Sequence, residues 1–272
     1  MIFINKVLQY HKTDEMDYSK LFDLQGKKVM ITGGAKGIGY TIAKAYYALG
    51  AKIALIDISP ETSATALEID PSGENVFAVI GNLVETKSRE TAFFEALEKL
   101  GGTVDVLVNS AGMTIRNEPE NMTEEQYDKV LDLNAKSLYF TCQLAGREMI
   151  KQQSGKIINV TSILGKFGSK ASSGYSASKG AVAQITKSLA AAWAPKGINV
   201  NAIAPAWINT ELTIPLRQNK EVCALIDSRI PIGRWMELED IVGPAVYLAS
   251  SASDYIVGEI MMVDGGVSVH LV

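Results

Sequence analysis

Histidine is nearly absent from this chain of 272 residues: His11 and His270 lie near opposite ends. A histidine-based catalytic centre or metal site is therefore not expected. Cysteine is equally scarce. Cys142 and Cys223 have no close Cys-Cys or Cys-His spacing, which argues against a disulfide framework or a zinc site. Both sit in apolar helical contexts and read as core or interface residues. No apolar run approaches the length of a transmembrane helix, and Ile2-Phe3-Ile4 is too short for the apolar core of a signal peptide. A cytoplasmic protein without a membrane partner is expected. Positive charge is not in excess: 26 Lys and Arg face 30 Asp and Glu, for a net charge of −4. A strongly basic nucleic-acid surface is not indicated. There is no tandem repeat, low-complexity tract or linker.

What remains is a composition 47% hydrophobic and 21% charged, enough for a sizeable core in a soluble domain. Residues 1–25 are mixed and charged and read as an N-terminal extension that need not be ordered. From Gly26 to residue 272 strand and helix alternate. Strands are expected at Val29–Ile31, Ile53–Ile56, Val76–Ile80, Val104–Val108, Lys156–Val160, Ile198–Ile203 and Glu259–Val263. Helices are expected at Tyr40–Leu49, from Pro60 to about Ile69, at Lys87–Leu100, in one long run from about Glu124 to Lys151, and at Gly180–Trp193 and Glu239–Ala249. The strands are continuous apolar runs, as buried parallel strands are. One α/β domain, a doubly wound parallel sheet flanked by helices, fits best.

The stretch from Ser162 to Lys179 carries the chemistry. Tyr175 and Lys179 are four residues apart in the first turns of a helix, which puts both side chains on one face. A free tyrosine has a pKa near ~10 and is a poor base at neutral pH. Bringing it near 7 takes roughly 4 kcal/mol, much of which one close cation in a partly desolvated pocket can supply. Tyr175 could then exchange a proton with a substrate oxygen, and Ser162, at the end of a strand, could donate a hydrogen bond to the same oxygen. Alone, so short a pattern as Tyr-x-x-x-Lys is better read as an ordinary helix-surface pair.

Other positions add weight. Thr32-Gly33-Gly34-Ala35-Lys36-Gly37-Ile38-Gly39 links the first strand to the first helix, where backbone N–H groups and a helix N-terminus can meet a pyrophosphate. Its glycine spacing differs from G-x-G-x-x-G. Asp57 ends the second strand. A carboxylate there can accept from both ribose hydroxyls and repels a 2′-phosphate, which favours NAD(H). Lys36 points the other way and leaves NADP(H) open. Asp57 could equally cap the next helix. Asn109-Ser110-Ala111-Gly112 follows the fourth strand, with small residues that would let a ribose approach the backbone. Asn134 sits inside an apolar helix, where an amide needs partners; it could bend the helix and bind a water leading to Lys179.

Together these residues resemble the short-chain dehydrogenase/reductase family over nearly the whole chain, from about Gly26 to Gly266. The resemblance rests on Thr-Gly-x-x-x-Gly-Ile-Gly at 32–39, Asn-x-Ala-Gly at 109–112, and Asn134, Ser162, Tyr175 and Lys179. It implies a Rossmann-like sheet, a nicotinamide cofactor and a homotetramer or homodimer. It implies that Tyr175 is the acid/base, that Lys179 lowers its pKa and holds the nicotinamide ribose, that Ser162 orients the carbonyl, and that Asn134 supports a water in the proton relay. The implied cofactor set is Gly33, Lys36, Gly37, Ile38, Gly39, Asp57, Asn82, Leu83, Asn109, Ala111, Gly112, Tyr175, Lys179, Ile208 and Thr210, with no metal. Asn82 stands where the family usually has Asp against the adenine amino group, Ser110 where a second Asn is common, and Ala206 where Gly is usual.

A narrower similarity is to the gluconate 5-dehydrogenase and 2-dehydro-3-deoxy-D-gluconate 5-dehydrogenase group. Its marks are Leu24-Gln25-Gly26-Lys27, Ile115-Arg116, Ile230-Pro231-x-Gly-Arg-Trp235 and Leu248–Tyr255. It implies a sugar-acid or related polyol substrate, whose carboxylate needs a cation; Arg116 or a residue of the 209–235 segment (Arg217, Arg229 or Arg234) could supply it, with Arg116 and Arg234 the leading candidates. Arg234-Trp235 could equally anchor an interface. The competing expectations are a 3-oxoacyl-carrier-protein reductase or a hydroxysteroid dehydrogenase and, in another class, a non-catalytic NAD(H)-binding sensor.

Overall fold

The structure is a computed structural model and describes residues 17–269. Both histidines, and most of the expected N-terminal extension, lie outside the described residues. Within the extension, Leu24 is fully buried, and the Leu21 carbonyl accepts from Ala252 N at 3.1 Å. The chain is thus already packed on the domain before Gly26.

Seven strands are described: β1 (Lys28–Thr32), β2 (Lys52–Asp57), β3 (Val76–Ile80), β4 (Val106–Asn109), β5 (Gly155–Val160), β6 (Ile198–Pro205) and β7 (Ile260–Val263). They form one sheet in the order β3-β2-β1-β4-β5-β6-β7, with every neighbouring pair parallel. Side chains along a strand alternate between faces, so apolar runs feed two cores. On one face Val29 and Ile31 pack with Ile42 and Tyr46 of α1 (Gly37–Ala48) and with Ala245 and Leu248 of the C-terminal helix Val242–Ala249. On the other, Met30 packs with Phe93 and Ala96 of the helix Thr86–Lys99 and Cys142 and Met149 of the helix Leu138–Gln152. Each such side chain contributes about 1.5–3 kcal/mol by leaving water. This is the doubly wound Rossmann-like sheet expected.

The helices follow as α2 (Thr62–Ile69), α3 (Thr86–Lys99), α4 (Glu124–Leu131), α5 (Leu138–Gln152), α6 (Ser173–Trp193), α7 (Ile214–Gln218), α8 (Lys220–Asp227) and α9 (Val242–Ala249). The expected single helix from 124 to 151 is in fact interrupted: Asp132–Ser137 winds as a π-helix between α4 and α5. The wider turn carries Asn134 and turns its amide inward, a local device common at functional sites. The helix expected from Pro60 begins at Thr62, and that expected from Glu239 begins as a 3-10 turn over Leu238–Ile241.

From β1 the strand order runs outward in both directions, so the loops after β1 and β4 diverge to opposite faces. That crevice at the carboxyl edge is where open α/β sheets bind ligands.

Candidate active site

The glycine-rich turn is built by close approach. Gly33 has φ +68°, and a Cβ there would lie 2.7 Å from the Ala111 backbone. A Cβ on Gly39 would lie 2.2 Å from the Gly33 carbonyl. Gly37 has φ +62° and faces open space, so the mouth of the turn is a clear backbone cradle. Ile38 anchors its helix side on the core. The Ala111 N–H donates to Thr32 Oγ1 at 3.3 Å and joins the ends of β1 and β4. Asp57 accepts from the N–H groups of Ala35 and Ser59, both at 3.1 Å, which sets its carboxylate beside the turn. A glycine-lined turn leading into a helix N-terminus, with a carboxylate at the end of β2, fits the diphosphate and adenosine ribose of a dinucleotide.

Lys36 reaches across this cradle. Its ammonium meets the Glu211 carboxylate at 2.6 Å, and that hydrogen bond raises the lysine pKa. Glu211 follows Thr210 in the segment after β6, which Ile208 seats by its bridge to Met236. The pair therefore ties the turn to the loop expected over the nicotinamide. Nothing in the sequence marked Glu211, because its partner is 175 residues away.

The loop after β3 lies beside Asp57, whose carbonyl accepts from Gly81 N at 2.8 Å. Leu83 is buried in it. The Asn82 amide oxygen accepts from Val84 N at 3.1 Å, and its Nδ2 donates to Glu85 at 3.0 Å. Asn109 turns inward: its Nδ2 donates to Asn159 Oδ1 at 2.9 Å, beneath the crevice rather than in it.

The catalytic candidates converge at the ends of β5 and α6. Ser162 immediately follows the Thr161 that tethers α6, since Thr161 Oγ1 donates to the Lys179 carbonyl at 2.8 Å. Gly165 permits this contact; a Cβ there would stand 2.8 Å from the same carbonyl. Tyr175 is half-buried and hydrogen-bonded to Ser162. Lys179 is 4% exposed, donates to the Val160 carbonyl at 2.7 Å, and lies 5.7 Å from the Tyr175 ring centre. Burial pulls its pKa down to about 8. Burial raises the Tyr175 pKa, against which the Ser162 hydrogen bond and the Arg116 charge pull it down. Two cations thus stand by the phenol: the Arg116 charge acts on it, and the Lys179 ammonium lies over its ring.

Asn134 is fully buried, and its amide is fully engaged. It accepts from Met113 N at 2.8 Å, and its Nδ2 donates to the Met113 carbonyl at 2.8 Å and Ser178 Oγ at 2.9 Å. It thus clamps the strand-β4 loop to α6 immediately before Lys179. A Cβ on Gly112 would be 3.2 Å from Asn134 Oδ1 and 3.6 Å from Lys179 Nζ, so only glycine leaves this corner open. Ser178 was missed from sequence; the signal was a small polar residue inside α6 next to the lysine.

The two arginines differ in their partners. Arg116 lies where its charge acts on Tyr175. Arg234 is held by Asp240: both terminal nitrogens donate to its carboxylate, at 2.6 and 2.8 Å, and one also reaches the Trp235 carbonyl at 3.1 Å.

A dinucleotide cradle and a serine–tyrosine–lysine cluster along one sheet edge define a nicotinamide-dependent oxidoreductase acting on CH–OH groups. The family described as Enoyl-(Acyl carrier protein) reductase matches residues 33–268. The chain belongs to the short-chain dehydrogenase/reductase family. It is 42% identical to a 2-dehydro-3-deoxy-D-gluconate 5-dehydrogenase of Bacillus subtilis, over 90% of this chain and 96% of that protein. It is 37% identical to a 3-oxoacyl-[acyl-carrier-protein] reductase of Chlamydia pneumoniae, over 90% and 98%. Among solved structures, a gluconate 5-dehydrogenase from Burkholderia cenocepacia in complex with NADP and tartrate superposes with a TM-score of 0.89. It is 31% identical, with 93% and 99% of the two chains covered.

Proposed function

We propose that the protein interconverts a secondary hydroxyl and a keto group on a sugar acid or related polyol, with NAD(H) preferred over NADP(H). The observation that carries this reading is the gathering of Ser162, Tyr175 and Lys179 around one corner, with the Arg116 charge acting on the same phenol. The bound nicotinamide supplies or accepts hydride at its ring carbon. Tyr175 gives its hydroxyl proton to the carbonyl oxygen in reduction and recovers it in oxidation. Ser162 donates to the same oxygen and holds it in place. Lys179 lies beneath with its ammonium held by the Val160 carbonyl. Asn134 fixes the Met113 backbone and Ser178, and so the floor on which Lys179 stands. Arg116, whose charge acts on the same phenol, receives the substrate carboxylate.

Asp57 supports NAD(H), because a carboxylate beside the turn opposes a 2′-phosphate. The neighbouring structure that holds NADP supports the opposite choice. A homotetramer or homodimer belongs to the same reading. It is supported by the apolar face on which Tyr139 and Phe140 of α5 stay exposed beside Ile185 of α6. A cytoplasmic location is supported by two unpaired thiols. Assignment as a 3-oxoacyl-carrier-protein reductase is the second reading, favoured by Lys36 in the turn and by the Chlamydia relative.

Purified protein, given NAD and NADP in parallel against aldonates, keto-deoxy sugar acids, polyols and hydroxyacyl thioesters, decides between them. Turnover of a sugar acid with NAD is expected. Turnover only of thioesters with NADP would overturn both the substrate and the cofactor choice.

A further inference from the structure

We propose that Arg89 is a positioning residue for the adenine end of the cofactor, holding the loop after β3 in the shape that receives it. This rests on the dinucleotide site proposed above.

Arg89 lies in the first turn of α3 and is only 4% exposed. Several features of this position are unfavourable for a cation. The N-terminal turn of a helix carries positive partial charge. Among the described residues no carboxylate forms an ion pair with it, and its buried Nε has no hydrogen-bond partner. Burial lowers its pKa. An aliphatic side chain would avoid all these costs. What the guanidinium does achieve is specific. One terminal nitrogen donates to the Leu83 carbonyl at 2.8 Å, and the other lies 3.4 Å from Thr86 Oγ1. Its planar face rests over the Phe140 ring of α5, 5.1 Å from the ring centre.

The carbonyl it holds belongs to the loop beside Asp57. That loop has no slack elsewhere. A Cβ on Gly81 would meet Ala92 of α3 at 2.5 Å, and Asn82 N donates to Ser88 Oγ at 2.8 Å. The first turns of α3 thus form a template for residues 81–85, and Arg89 is its buried polar support. Loss of that support frees the Leu83 carbonyl, one residue from Asn82. It leaves the nicotinamide end, built on β5 and α6, untouched.

Two ligands separate the ends: ADP-ribose, measured by calorimetry, and reduced nicotinamide mononucleotide, followed by its fluorescence. In Arg89→Met, ADP-ribose affinity should fall about tenfold, the worth of one hydrogen bond to a charged group, while affinity for the mononucleotide stays within twofold. Arg89→Lys should recover part of the loss, and Phe140→Leu should weaken ADP-ribose binding in the same direction. If Arg89→Met fails to fold, the lysine and leucine variants carry the same comparison. Equal weakening of both ligands, or unchanged ADP-ribose binding with a lowered Tm, would overturn the proposal and leave Arg89 a packing residue. Wild-type protein that binds neither ligand would overturn the dinucleotide site itself.

Discussion

Lys179→Met tests the burial of the ammonium without substrate or cofactor. In the folded protein this lysine has a pKa of about 8 against an ordinary 10.5, so the folded state binds the proton less readily than the unfolded chain. Below pH 8 both states carry it, and folding bears the full cost of burying the charge, roughly 3 kcal/mol. Between pH 8 and 10.5 the folded protein releases the proton while the unfolded chain keeps it, so stability rises with pH through that window. The gain from pH 7 to pH 9 is about 1 kcal/mol. Methionine does not titrate. The variant also loses the bond to the Val160 carbonyl, but that loss does not vary with pH. Urea unfolding of both proteins at pH 7, 8 and 9 therefore isolates the lysine. The difference in unfolding free energy should move in favour of wild type by that amount. A difference that stays flat, or moves the other way, would refute a buried, weakly basic Lys179.

Arg116→Met should make the Tyr175 phenolate harder to form, because the Arg116 charge opposes the upward push of burial. Alcohol oxidation needs the phenolate, so the acidic limb of its pH–rate profile should move to higher pH; an unmoved limb would contradict the coupling. Asp57→Ala should raise the ratio of kcat/KM for NADP over NAD about tenfold, equal to about 1.4 kcal/mol, and an unchanged ratio would mean that Asp57 does not face the ribose. Glu211→Gln releases Lys36 and should raise the same ratio a few-fold at low salt, fading at high salt as exposed pairs do. A ratio indifferent to salt would argue against the pair as a determinant of cofactor choice.

How far the sequence led depends on how local each signal is. The parallel sheet was legible because runs such as Val29-Met30-Ile31 are apolar on both faces, which a two-sided core requires. That Tyr175 and Lys179 share one face was legible from helical spacing, but their roles were legible only from the resemblance to the family; the glycine turn was legible because strand, glycines and helix follow one another directly. The π-helix at 132–137 was not legible: its cause is Asn134 finding Met113 and Ser178, 21 and 44 residues away. The same holds for Glu211 on Lys36. The pairing of Arg234 with Asp240 was not legible either, because it closes a short loop whose geometry periodicity does not describe. Arg89 reads in sequence as one more charge at the start of α3; only the fold reveals that it is buried.

The most direct test of the account is turnover and NADH binding by Tyr175→Phe beside wild type, on the best sugar-acid substrate of the panel. The account predicts that turnover is abolished while NADH binding is largely unchanged. A phenylalanine variant that retains near-normal turnover would contradict the assignment of the proton to Tyr175.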